Sequence, residues 1–235
     1  MTPLQKGARG LGEMLVSAGV VLLLFVGWQL WWTDATASRA QATTTTHLQQ
    51  EWDAAPPVDS APAGGSVSAT AKPVPIGTAF AVLRIPRFGK KYVKPIYQGF
   101  AEKILNKGVG HYNHTQMPGE VGNFAVAGHR VTYGKPFNLI ATLRPGDAIV
   151  VETATTWYVY RAVRHVIVTP NHTEVLAPVP LHPGEQPTRA WMTMTACHPE
   201  FSARQRYVEF AVLAQTLPKS SGHVPAALAG YHLSG

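Results

Sequence analysis

Cysteine is nearly absent from this chain, and charge is scarce. Cys197 is the only cysteine among 235 residues, so no disulfide can close within the chain. Asp and Glu together number 13 against 20 Lys and Arg, and charged residues make up only 14% of the sequence. No stretch is acidic enough to read as a calcium loop. His111 and His114 lie close together, but no cysteine or carboxylate cluster completes a metal set around them, so both read as loop histidines. No zinc-finger spacing, helix-turn-helix signal or interleaved basic-aromatic motif accompanies the net charge of +7, so nucleic-acid binding is not the reading of that charge.

What is present is uneven. Met14 to Trp32 reads MLVSAGVVLLLFVGWQLWW and carries no charge. As a helix it spans roughly 28 Å, close to the hydrocarbon thickness of a bilayer. Trp28, Trp31 and Trp32 gather at its far end, where amphipathic rings favour the interface. Lys6 and Arg9 precede it, which predicts a cytoplasmic N-terminus over residues 1–13 and places the rest of the chain outside the membrane. A cleaved signal peptide is the competing reading; bulky tryptophans in place of a small-residue cleavage site argue against it. Residues 33–76 are rich in Thr, Pro, Ala and Gly and predict a flexible linker, although the part up to Trp52 could continue the anchor as helix. For an exported domain, the excess positive charge suits anionic wall polymers or lipid head groups.

A folded domain is expected over 77–217, with a small, polar, frayed tail over 218–235. Short runs near 79–85, 92–97, 123–129, 148–152, 157–168, 190–196 and 206–213 read as strands, separated by Gly- and Pro-bearing turns. Pro95 argues for an edge or a bulge in its strand. Short helical pieces are expected at 101–106 and 136–143, and 171–187 is a long proline-bearing loop. Many short strands with little helix indicate a mainly β domain, a closed barrel or a sandwich.

The lone cysteine ends one of these strands. Strand alternation puts Trp191, Thr193, Thr195 and Cys197 on one face and Met192, Met194 and Ala196 on the other. The methionine face suits a core, which leaves the threonine-cysteine face for a cleft. Arg206 opens the next apolar run, and His129 closes the run Asn123 to Ala127 plus Gly128. A thiolate nucleophile, an imidazole able to protonate a leaving amine and a guanidinium able to hold an oxyanion together make an acyl-transfer site. Arg204 competes with Arg206, since both share one strand parity.

These residues resemble the sortase family, cysteine transpeptidases of the Gram-positive cell surface. Thr193-Met194-Thr195-Ala196-Cys197 followed by Arg206-Tyr207-Val208 is similar to the family's TLxTC…R signature. Asn123 to Arg130, continuing to Tyr133-Gly134-Lys135-Pro136-Phe137, is similar to its histidine segment, and Cys197 to Arg206 resembles the class E branch. The resemblance covers roughly residues 78–217. It implies an eight-stranded β-barrel with Cys197 as nucleophile, His129 as general acid and Arg206 as oxyanion or substrate clamp; the residues themselves lead to the expectation of no metal and no cofactor. It implies cleavage of a C-terminal sorting signal on secreted proteins between Thr and Gly, LAXTG-type in class E where others prefer LPXTG, and transfer to an amine of a peptidoglycan precursor at the membrane. Tyr112 matches a tyrosine linked to signal preference. Ala196 stands where the family usually has threonine, which touches a substrate-binding position. A purely hydrolytic cysteine peptidase and a non-catalytic wall-binding module are the alternatives.

Overall fold

The computed structural model describes residues 3–55 and 73–231. An N-terminal helix, α1 (Pro3–Ala54), precedes eight strands: β1 (Ala79–Arg84), β2 (Val93–Gln98), β3 (Val109–His111), β4 (Gly122–Ala127), β5 (Ala148–Glu152), β6 (Thr156–Val168), β7 (Ala190–His198) and β8 (Gln205–Pro218). One turn of helix, α2 (Glu102–Leu105), sits between β2 and β3. The strands close into a barrel in the order β1-β2-β3-β4-β7-β8-β6-β5. Closure leaves no free sheet edge, which is how a mainly β chain avoids an open ladder.

Alternation fills the barrel. Leu83, Ile96, Phe124, Val126, Ile149, Tyr160, Met192 and Met194 are fully buried and share one core cluster. Phe137, Ile140 and Leu143, from the connection between β4 and β5, join that cluster. Here the expected short helix at 136–143 is reduced to a single 3-10 turn, Ile140–Thr142. Pro95 lies inside β2, where β2 faces β1. The β2–β3 ladder begins only at Ile96, so the missing N–H of Pro95 costs no bond on that side.

Three findings differ from the sequence reading. First, the segment expected to be flexible linker is helical as far as Ala54, in line with the alternative that the anchor continues. Its Gln41, Thr45 and Leu48 recur at helical spacing and are buried against the barrel. Gln41 Nε2 donates to Tyr133 O (2.9 Å), and Tyr97 Oη donates to Thr44 Oγ1 (3.1 Å). Tertiary contact on one face outweighs the modest helix propensity of the threonines, and Thr43 and Thr45 bond back to carbonyls one turn earlier. Residues 56–72 of the expected linker lie outside the described residues. Second, the tail expected to fray is packed. Leu228 is buried with Val150, Trp157 and Val159 on the outer face of β5 and β6, and Tyr231 Oη donates to Gly89 O at 2.7 Å; residues 232–235 lie outside the described residues. Third, His111 is no loop residue. It belongs to β3 and is buried; its Nε2 donates to Gln116 O at 3.0 Å, and its Nδ1 meets the Gln98 side-chain amide at 2.8 Å. Burial pushes its pKa down to about 4, so it stays neutral.

Candidate active site

Strand register brings the three candidate groups together. β4 and β7 are parallel neighbours with Ala127 opposite Thr195. Two residues further along each chain stand His129 and Cys197, so both leave the same end of adjacent strands. β8 runs antiparallel to β7 and sets Arg206 directly opposite Cys197. The connections reinforce this. Gly128 N donates to Thr195 O (3.1 Å), and Phe137 N donates to His129 O (3.0 Å). Gly128 is needed for close approach, since a Cβ there would lie 2.8 Å from the Phe137 ring.

The three side chains line one cavity of about 460 Å3, walled also by Phe100, Leu105 and Tyr112. Its far wall is the loop after β6, from Thr169 to Leu176. Two buried side chains fasten that loop to the barrel: Asn123 Nδ2 donates to Val175 O and Ala177 O (3.2 and 3.0 Å), and Thr193 Oγ1 donates to Val175 O (3.3 Å). Val175 then packs with Val208 and Phe210 on the outer face of β8. The long proline-bearing loop is thus a wall of the cavity.

Cys197 is half-buried and free. His129 lies 2.8 Å from Asn106 through Nε2 and Oδ1. An amide oxygen only accepts, so Nε2 carries the proton and Nδ1 remains for proton transfer. Burial lowers the His129 pKa below the ordinary imidazole value, and the Glu102 carboxylate partly opposes this. Tyr133 lies against the ring, with centroids 5.1 Å apart. Arg206 Nη1 donates to Ala203 O (2.8 Å) and Gln205 O (3.0 Å). These bonds hold the guanidinium at the rim of the cavity and leave Nε and Nη2 for another acceptor. Arg204 instead uses Nε on Ser202 Oγ (3.4 Å) and does not line the cavity.

Tyr112 and Ala196 also border the cavity, in different ways. The Tyr112 hydroxyl bonds Thr195 Oγ1 at 3.0 Å and its ring leans on Phe100; burial raises its pKa. Ala196 lines the cavity but belongs to the barrel core cluster. The hydroxyl available on the cleft face of β7 is therefore that of Thr195.

Two contributors escape sequence reasoning. Asn106 ends α2 and fixes the tautomer of His129. Arg130, buried at 7% exposure, reaches from the histidine loop to the cysteine strand. Its Nη1 donates to His198 Nδ1 (2.9 Å) and, more weakly, to Cys197 O (3.4 Å), and its Nη2 meets Glu200 Oε1 at 3.6 Å. The signal available in the sequence was its place beside His129, which says nothing of its partners.

Comparison with known proteins agrees with this geometry. A sequence model of the Sortase domain matches residues 83–214. Sortase SrtE1 of Streptomyces coelicolor is 38% identical over 224 residues, which is 92% of this chain and 59% of that protein's length. Sortase SrtE2 of the same organism is 33% identical over 213 residues, covering 88% of this chain and 81% of the relative. A crystal structure of sortase E1 from S. coelicolor with a tripeptide in its active site superposes with a TM-score of 0.59 at 38% identity, over 64% of this chain and 96% of the other. A closed eight-stranded barrel, a cysteine, a histidine and an arginine on one cavity, and a domain match over most of the barrel place this chain in the sortase family of cysteine transpeptidases, with class E sortases among its relatives.

Proposed function

We propose that this protein is a membrane-anchored sortase, with Cys197, His129 and Arg206 as its catalytic residues. The observation that carries the reading is the cross-strand pairing of Cys197 with Arg206 on the cavity that His129 also lines. The Cys197 thiol passes its proton to His129 Nδ1, and the sulfur attacks the carbonyl carbon of a Thr–Gly bond. Arg206 donates from its outward nitrogens to the oxygen that gains charge. His129 gives a proton to the departing glycine amine as the C–N bond breaks, leaving a thioester. An amine of a peptidoglycan precursor then attacks the thioester, His129 takes its proton, and the sulfur leaves as thiolate. The tripeptide in the sortase E1 active site supports a peptide in the equivalent cleft. An LAXTG-type signal is favoured and LPXTG is possible, with Tyr112 and the Ala196 position bordering the peptide. The apolar stretch of α1 is long enough to cross a membrane; its N-terminus lies in the cytoplasm and the barrel outside.

The test uses the full chain in detergent with LAXTG and LPXTG peptides, with and without an amine acceptor. Mass spectrometry should find an acyl adduct on Cys197, and an amide product only when the amine is present. Cys197→Ala should abolish turnover with an unchanged circular dichroism spectrum. Hydrolysis alone, at the same rate with or without amine, would move the assignment to a peptidase.

A further inference from the structure

The backbone just past His129 folds against the ordinary preference of L-residues. Tyr133, Gly134 and Lys135 all have positive φ, at 52°, 75° and 46°. A run of left-handed residues that includes a tyrosine and a lysine persists only where its surroundings fix it. The loop itself supplies one bond, Lys135 N donating to Thr132 O at 3.0 Å. Its other holds come from side chains outside it. Tyr133 O accepts from Gln41 Nε2 (2.9 Å), Gly134 N donates to Asp34 Oδ1 (3.3 Å), and Gly134 O accepts from Lys94 Nζ (3.0 Å). Asp34 and Gln41 both belong to α1 and recur at helical spacing on one face.

Gln41 is the centre of this clamp and is only 1% exposed. Its Oε1 accepts from Lys94 Nζ at 2.6 Å. An ammonium only donates and the Tyr133 carbonyl only accepts, so the two partners fix which way the amide points. The approach is close: a Cβ on Gly134 would lie 2.7 Å from Gln41 Oε1. Asp34 adds a second hold, its Oδ2 accepting from Lys135 Nζ at 2.6 Å. What the clamped turn carries is the Tyr133 ring, whose centroid lies 5.1 Å from that of the His129 imidazole. The bond from Nε2 to Asn106 sets the tautomer but leaves the imidazole able to tilt about it. A second ring against it removes that freedom.

We propose that Gln41, assisted by Asp34, is a positioning residue for His129. Helix α1 clamps the left-handed turn over residues 133–135, and the Tyr133 ring thereby holds the imidazole at one tilt. The proposal rests on the reading of His129 as the group that moves protons in the reaction. It makes the helix preceding the barrel part of the support of the chemistry.

The experiment uses the full chain in detergent with an LAXTG peptide and an amine acceptor. Gln41→Met keeps volume and helix propensity while removing both amide bonds. It should lower kcat about ten-fold and change KM less than about two-fold. The His129 ring-proton resonances, which feel the ring current of Tyr133, should move in its NMR spectrum. Tyr133→Phe keeps the ring and should keep the rate, whereas Tyr133→Ala should lose as much as Gln41→Met. The two losses act through one contact, so Gln41→Met with Tyr133→Ala should be no slower than either alone. Thr44→Val removes a different contact between α1 and the barrel, the bond from Tyr97 Oη, and should leave kcat and the His129 resonances unchanged. Normal kcat in Gln41→Met, multiplied losses in the double variant, or an equal loss in Thr44→Val would each overturn the clamp. If Gln41→Met fails to fold, the contrast between Tyr133→Phe and Tyr133→Ala decides, and equal rates in those two would overturn it. Turnover retained in His129→Ala would remove the proton-transfer reading beneath the proposal. An inactive His129→Ala beside a fully active Gln41→Met would remove the clamp alone.

Discussion

Arg130 links the two halves of the chemistry. It follows His129 in the chain, and its side chain grips His198 and the carbonyl of Cys197. Asn138 Nδ2 donates to the Arg130 carbonyl at 3.1 Å, and the Arg130 guanidinium lies over Tyr207. Replacing Arg130 with Gln should lower kcat by about ten- to a hundred-fold with a smaller change in KM, because a misplacement near 1 Å costs about that much; steady-state kinetics beside a thermal melt checks it. Arg206→Lys should lose more, since an ammonium cannot both bond the loop carbonyls and reach a substrate oxygen as a fork does. Near-normal rates would remove Arg206 from the reaction. Glu102 favours the charged imidazolium of His129, so Glu102→Gln should lower the His129 pKa further. The carboxylate is exposed, so solvent and salt screen its effect, and an NMR titration of the imidazole would record the direction. The proposed catalytic trio was legible in sequence because each member ends or begins an apolar run. Asn106 and Arg130 were not, because their partners lie 23 and 67 residues away, a distance no local pattern encodes.

Among the elements, strands were easier to read than helix ends. The alternation in β7 correctly separated Met192, Met194 and Ala196, now in the barrel core, from Thr195 and Cys197 toward the cleft. The extent of α1 was harder to see. Its threonines and alanines look like linker composition, and only the barrel face they meet explains the helix. Trp52 docks as the sequence allowed: Lys219 Nζ sits over its ring at 5.0 Å and over Trp157 at 5.4 Å. The same ammonium bonds Glu152 Oε1 at 3.0 Å, while Glu152 Oε2 accepts from Arg84 Nη2 at 3.0 Å. Arg84 and Glu152 are almost wholly buried. Glu152 is thus the common anion for two cations on β1 and at the end of β8. Glu152→Ala should destabilise the fold by about 3–5 kcal/mol, because it strands a buried guanidinium; chemical denaturation would measure it, and a cost under about 1 kcal/mol would contradict the burial argument.

For the whole molecule, stability should depend on pH through two buried groups of opposite sign, Glu209 and His111. Glu209 lies on β8, is only 2% exposed, and has one carboxylate oxygen without a partner. Burial pushes its pKa up to about 7. The unfolded chain releases this proton near pH 4.3, so between about 4.3 and 7 the native state binds more protons than the unfolded state. The contribution of Glu209 to stability therefore falls as pH rises through that window and is fully lost above about 7, while buried neutral His111 acts in the opposite sense between about 4 and 6.5. Glu209→Gln should raise the melting temperature at about pH 8 by several degrees and leave it nearly unchanged at about pH 4.5. Equal gains at both values would point to packing instead. This residue was invisible in the sequence as anything but a charge inside an apolar strand. The eight-strand architecture, by contrast, was legible because each short run is closed by its own turn.

The side-by-side placement of the three chemical groups, on β7 and β8 and just beyond β4, has a further outcome. Cys197 and Arg206 face each other across one ladder, so heat should not disarm the enzyme by loosening one flap. Amides along those strands should exchange with solvent only as fast as the entire barrel opens, and catalytic power should persist until the protein melts, then vanish with it in one step.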